Sequence, residues 1–309
     1  MPAEGEAGSK HILRAMGTCS VRCNKHGFIT SKSFLFLFFM LKCCTNLQTG
    51  KGAKNRIMET AFTTQGERGC LNRNQIKYIV IIAMLIDHIA WGFVDAVNPF
   101  LGGCMHFIGR LTGPTMAYFV GEGYHYTRNV GKYQQRLAVF ALISWFPFVW
   151  FEFGRLPLYF EQGHLMLIPV QGVIFTLFLG LTAIRLYESK KINKPIKIIG
   201  IILLCILACI GDWAFMDVLG CLFVHIYRDK PRAKWCSFTL VFLIPNVLIS
   251  ILSGLTHTWF QFGVLLVPLM LYFLYNGQGG SKAKIHKWFF YLFYPLHLLI
   301  LGLLRWVIL

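Results

Sequence analysis

Charged residues are scarce in this 309-residue chain, at 14% of the total, against about 25% in a typical soluble domain. Acidic residues are scarcer still: 13 Asp and Glu stand against 30 Lys and Arg, for a formal net charge of +17. No 20–50-residue repeat, P-loop or dinucleotide-binding glycine fingerprint is present. What is abundant is apolar: 56% of residues are hydrophobic, with a mean hydropathy of +0.56, and they come in long runs. This composition excludes an ordinary soluble enzyme, a disordered chain and a collagen-like repeat. It points to an all-α polytopic membrane helix bundle. In such a protein, Lys and Arg gather in cytoplasmic loops, and a positive charge is poor evidence for nucleic acid.

Residues 1–70 read as a basic N-terminal extension. The first 57 residues carry nine Lys and Arg against Glu4 and Glu6. Their one apolar run, Phe34 to Leu41, has eight residues, where a span needs about 20. It ends in Lys42-Cys43-Cys44 rather than a small-residue cleavage site. Cys19, Cys23, Cys43 and Cys44 lack the regular paired spacing of a zinc site, so no metal is expected. The extension is expected to be unstructured, or to precede a true start at Met58.

Residues 71–309 read as one transmembrane domain of about nine spans, near 76–97, 104–126, 134–152, 165–186, 196–211, 213–227, 236–254, 259–275 and 287–307. Numbering the connections alternately from the inside places 18 of the 21 Lys and Arg beyond residue 57 on one side. That asymmetry orients the N-terminus to the cytoplasm and the C-terminus outside. It also favours two helices over one kinked helix across 196–227.

Charges at bilayer depth are costly and mark candidate sites. Asp87 and His88 lie in the middle of the first span, and His297 near the middle of the last. An adjacent carboxylate can fix the tautomer of an imidazole and raise its basicity. Neighbours on a helix point about 100° apart, however, so a direct Asp87–His88 bond is not assured. Arg110 lies inside the outer end of the second span, either snorkelling or facing a cavity. Gly109 and Gly113 form a small-xxx-small face. Glu122, His125 and Arg128 follow at three-residue steps at the cytoplasmic end. They read as an interfacial charge cluster or, with Lys132 and Arg136, as the mouth of a pocket for a phosphorylated cytosolic molecule. Asp212 reads as a helix cap.

Ile86-Asp87-His88-Ile89, Ile108-Gly109-Arg110-Leu111, Gly121-Glu122-Gly123-Tyr124, His125-Tyr126-Thr127-Arg128-Asn129 and Ala141-Leu142-Ile143-Ser144 follow one another in the order seen in TraX proteins. So do Leu271-Tyr272 to Asn276-Gly277 and Phe289 to His297. The chain thus resembles the TraX family over roughly residues 71–309. The family is known for acetylating the N-terminal amine of F-type conjugative pilin, and looks like a branch of the wider transmembrane acyltransferases. The resemblance implies a bacterial plasma (inner) membrane location and a cytoplasmic acyl-CoA donor such as acetyl-CoA. It also implies an amine or hydroxyl on a peptide or envelope-polymer acceptor. On that footing His88 is the expected base with Asp87 setting its tautomer, and Arg110 or His297 the electrophilic contact. Glu122, His125, Arg128, Lys132, Arg136 and Arg185 form the expected CoA rim. A proton-coupled transporter or flippase without covalent chemistry is the alternative, since mid-membrane His, Asp and Arg also suit proton movement.

Overall fold

The computed structural model describes residues 69–308 except Gln162 and Lys282. The expectations for the basic extension before residue 69, and for a start at Met58, lie outside the described residues. The helices are α1 (Arg73–Ile89), α2 (Pro99–Gly109), α3 (Thr112–Tyr126), α4 (Val130–Phe153), α5 (Val173–Glu188), α6 (Lys194–Ala208), α7 (Ala214–Ile226), α8 (Pro231–Ser253), α9 (Leu255–Thr258), α10 (Leu266–Leu274) and α11 (Lys284–Leu303). A π-helical turn, Ala90–Val94, extends α1, and another, Leu304–Ile308, extends α11; a 3₁₀ segment, Trp259–Leu265, joins α9 to α10. A short antiparallel hairpin, β1 (Leu158–Glu161) and β2 (His164–Leu167), links α4 to α5.

Five of these helical segments are long and apolar enough to cross a membrane: Arg73–Val94, Val130–Phe153, Pro231–Ser253, Leu255–Leu274 and Lys284–Ile308. Their outward faces carry exposed Ile79, Ile82, Leu142, Ile143, Ile251, Leu296 and Ile300. Exposed apolar surface on this scale suits lipid rather than water. Helix α7 is shorter and is buried without interruption from Phe215 to His225, as befits a helix that is apolar all round. Glycines let its neighbours close in: a Cβ at Gly121 of α3 would strike the Cys221 carbonyl, and one at Gly180 of α5 the Cys221 sulfur. Small residues at such crossings are the usual device for packing helices in lipid.

The second and fourth spans depart most clearly from the sequence-based expectation. The second is broken at Arg110-Leu111 into α2 and α3, although both residues keep right-handed helical angles, so the chain bends without reversing. The fourth begins at Val173 rather than 165, because residues 164–167 pair with β1. Residues 196–227 do form two helices. The N-cap position of the second of them is Trp213 rather than Asp212.

Hydrogen bonds collect alternate connections at one end of the bundle. Leu71 pairs with Tyr275, Arg73 binds Glu122 at the end of α3, and Tyr78 binds His286 at the start of α11. His225 at the end of α7 binds Glu188 at the end of α5, and Lys197 of α6 reaches the Tyr187 carbonyl. This end carries the basic residues and is called the basic end below. At the far end, Gln171 pairs with Gly211, and Arg305 and Trp306 bind the Phe151 carbonyl.

Candidate functional site

Helix α1 sends Asp87 and His88 to different neighbours, as a 100° step requires. On one side, His88 meets His297 of α11 with ring centroids 5.0 Å apart and planes at 77°. His88 Nδ1 lies 2.8 Å from the Met84 carbonyl, and His297 Nδ1 lies 2.8 Å from the Phe293 carbonyl. A carbonyl only accepts, so each Nδ1 carries a hydrogen, and in the neutral ring Nε2 then keeps the lone pair. Both residues are buried, and His297 Nε2 has no hydrogen-bond partner among the described residues. The His297 ring stacks on Phe293 at 4.8 Å, and Phe151 meets His88 at 5.5 Å, so the pair sits in an aromatic pocket. Two adjacent imidazoles, when neutral, can each accept a proton from a bound N–H or O–H group.

His88 is not midway along its helix. It stands about 9 Å from the Val94 end and about 22 Å from the Arg73 start, at ~1.5 Å per residue. The helix begins earlier and ends earlier than the sequence-based boundaries, which shifts the histidine toward the far end.

On the other side of α1, Asp87 does not bind His88. Its Oδ1 lies 2.8 Å from His106 Nδ1 and 3.6 Å from an Arg110 nitrogen. His106 Nε2 lies 3.0 Å from Asp95 Oδ2. With both carboxylates ionised, the two bonds form together only on a doubly protonated ring, because a neutral imidazole has a single N–H. Arg110 faces inward rather than snorkelling. It packs over Trp213 and Phe260, at 5.2 and 5.6 Å from the ring centroids, and points one nitrogen at Gln261. The structure therefore separates the four expected catalytic residues into two groups, His88 with His297 and Asp87 with Arg110. The expected Asp87–His88 partnership is replaced by the Met84 carbonyl.

His106 and Asp95 were missed by the sequence reading. In an unbroken α-helix Asp95 would lie about 80° from Asp87. The wider π turn, closed by the Asp95 N–H on the Ala90 carbonyl at 3.1 Å, winds less per residue and brings both carboxylates to one ring. Glycines on α2 make room: a Cβ at Gly102 would strike the Asp95 carboxylate, and one at Gly109 the Asp87 carboxylate. Gly102, His106 and Gly109 at four- and three-residue steps were the available signal. The expected Gly109–Gly113 face is split by the α2–α3 break: Gly109 takes the Asp87 carboxylate and Gly113 the Trp213 ring.

The expected CoA-rim residues all lie toward the basic end but do not form one cluster. Glu122 is held by Arg73 at 2.7 Å and by the Tyr275 hydroxyl at 2.8 Å, which directs it into the bundle. His125 stacks on His225 at 4.7 Å with planes 10° apart. Arg128 and Lys132 are exposed. Arg136 lies over the Tyr133 ring at 5.9 Å, and Arg185 donates to Gln134. Among the described residues no group of three or more His, Cys, Asp or Glu side chains is placed to hold a metal ion.

No solved structure matches the chain. A curated relative, the probable fimbrial assembly protein FimC, serogroup H1, of Dichelobacter nodosus, is 32% identical over 238 residues, covering 74% of this chain and 93% of the relative. The pattern of the TraX protein family matches residues 72–305, which include both histidines and both carboxylates of the two buried groups, and the chain belongs to the TraX family.

Proposed function

We propose that the chain is an integral membrane acyltransferase that moves an acyl group, acetyl in the simplest case, from cytoplasmic acyl-CoA to an amine or hydroxyl of a membrane or exported acceptor. The observation that carries this reading is the buried His88–His297 pair, with each Nδ1 anchored to a carbonyl and the His297 Nε2 without a hydrogen-bond partner among the described residues. Acyl transfer needs a base that takes the proton of the attacking group. The bond from His88 Nδ1 to the Met84 carbonyl orients the ring beside Phe151, and in the neutral ring Nε2 carries the lone pair that takes this proton. The acceptor nitrogen or oxygen attacks the thioester carbon while its proton passes to His88 Nε2. Collapse expels the CoA thiolate, which takes that proton and leaves as the thiol. His297 orients the attacking group through its own Nε2.

The remaining assignments complete this reading. The chain crosses the bacterial plasma membrane about nine times, with its N-terminus inside and its C-terminus outside, so that the basic end faces the cytoplasm. Exposed Arg128 and Lys132 suit the CoA phosphates, and Arg136 and Arg185 flank them. Glu122 and His125 shape the same rim. A pilin-like N-terminus is the favoured acceptor, because the relative is described as a fimbrial assembly protein. Mass spectrometry of envelope peptides and polymers, from cells with and without this protein, tests the reading. A protein-dependent mass increase of one acyl group is expected, and identical spectra contradict it.

The Asp87–His106–Asp95 chain favours one second reading, a proton-coupled transporter, because buried titratable chains also mark proton paths. Solute flux in proteoliposomes lacking acyl donor is the result that selects it.

A further inference from the structure

Acyl transfer puts negative charge on the thioester oxygen, and neither histidine is placed to receive it: both are bases with lone pairs. Arg110, the residue the sequence offered, is engaged with Asp87 across α1. A different donor stands beside the histidines. Tyr294 lies one turn before His297 on α11, with ring centroids 5.6 Å apart, and its ring is 6.5 Å from that of His88. It is buried at 3% exposure. Its hydroxyl oxygen lies 3.3 Å from the backbone nitrogen of Val173, the first residue of α5, and accepts that N–H. A Cβ at Gly172 would run into the same hydroxyl, so the glycine is what admits it. The N-cap of α5, Gly172, has no side chain of its own to take the Val173 N–H.

We propose that the Tyr294 hydroxyl, held at the amino end of α5, donates the hydrogen bond that stabilises the oxyanion of the acyl-transfer intermediate. The proposal rests on the acyltransferase reading above. The hydroxyl accepts from Val173, so its own hydrogen remains for another acceptor. An N–H bonded to the phenolic oxygen strengthens the phenol as a donor, and the positive end of the α5 dipole favours an anion at this point. One turn along α11, buried His297 keeps an Nε2 with no hydrogen-bond partner among the described residues, beside the Tyr294 ring. In the step, the acceptor atom bonds to the thioester carbon. The C=O π pair moves to oxygen and is met by the Tyr294 O–H, and the acceptor proton goes to His88. When the intermediate collapses, the C–S pair leaves on sulfur and takes up that proton, and the tyrosine is unchanged.

The test uses the full chain in lipid nanodiscs with acetyl-CoA and a synthetic hydrophobic peptide bearing a free α-amine, read as thiol release. Tyr294→Phe is expected to lower kcat by roughly a hundred- to a thousand-fold, with KM for acetyl-CoA nearly unchanged. Tyr159→Phe, out on the hairpin, leaves turnover intact. Near-normal kcat in Tyr294→Phe alongside an inactive His88→Ala overturns the inference and spares the acyltransferase reading, even if the melting temperature falls, since Tyr294 would then be only a helix cap. Thiol release by the unsubstituted protein no greater than by His88→Ala overturns both. If Tyr294→Phe does not fold, difluorotyrosine at 294 preserves the shape and changes only the acidity of the O–H. A shift in kcat supports the donor role, and an unchanged kcat contradicts it.

Discussion

A single peptide unit separates the two buried polar groups of this protein. Asp87 and His88 are adjacent, yet each belongs to a different constellation, and the consequence is measurable. His88 is held by a backbone carbonyl, so Asp87→Asn is expected to cost acyl transfer far less than His88→Ala. Equal losses, measured as turnover at matched protein amount, contradict this. Removing the carboxylate outright is a structural matter. Asp87→Ala leaves Arg110 and His106 without their shared partner, and stripping one member from a buried ion pair costs about 3–5 kcal/mol. Thermal unfolding in detergent should show a large fall in melting temperature. Gly109→Ala presses a methyl into the same carboxylate and should cost about 1–3 kcal/mol as overpacking.

At the scale of elements, the sequence was legible where hydrophobic length decides and illegible where backbone winding decides. The two helices within 196–227 followed from charge placement alone. The two histidines were found because a polar residue inside an apolar run is conspicuous. The π turn at Ala90–Val94 left no such mark, so Asp95, inside the expected 76–97 span but about 80° from Asp87 on a regular helix, did not read as the second carboxylate of His106. The hairpin was hidden because Leu165, Met166 and Leu167 are as apolar as the span that follows. Tyr294 lies within the Phe289 to His297 segment, but its proposed role depends on the amino end of α5, a distant segment that spacing along α11 cannot reveal. The glycines on the helices around α7 give this scale its prediction. Gly180→Leu forces a branched side chain against Cys221 and the α7 backbone, and should abolish the folded state. Loss of the monodisperse species in size-exclusion chromatography checks it.

For the whole molecule, the opening contrast between few charges and a strong positive excess resolves into geometry. The structure gathers most of the basic residues beyond residue 69 at one end of the bundle, while the exterior between the ends is apolar. With that end in the cytoplasm, a cysteine at Lys191 should resist a membrane-impermeant thiol reagent in intact cells, and one at Tyr159 should react. The reverse pattern inverts the topology and puts the CoA rim on the wrong side.

The central claim is that a carbonyl-anchored His88 is the base of acyl transfer, and one labelling experiment addresses it most directly. Membranes containing equal amounts of the unsubstituted protein or of His88→Ala are supplied with acetyl-CoA radiolabelled in the acetyl group. Label should pass to a membrane or peptide acceptor with the former and not the latter. Undiminished transfer by His88→Ala would contradict the account.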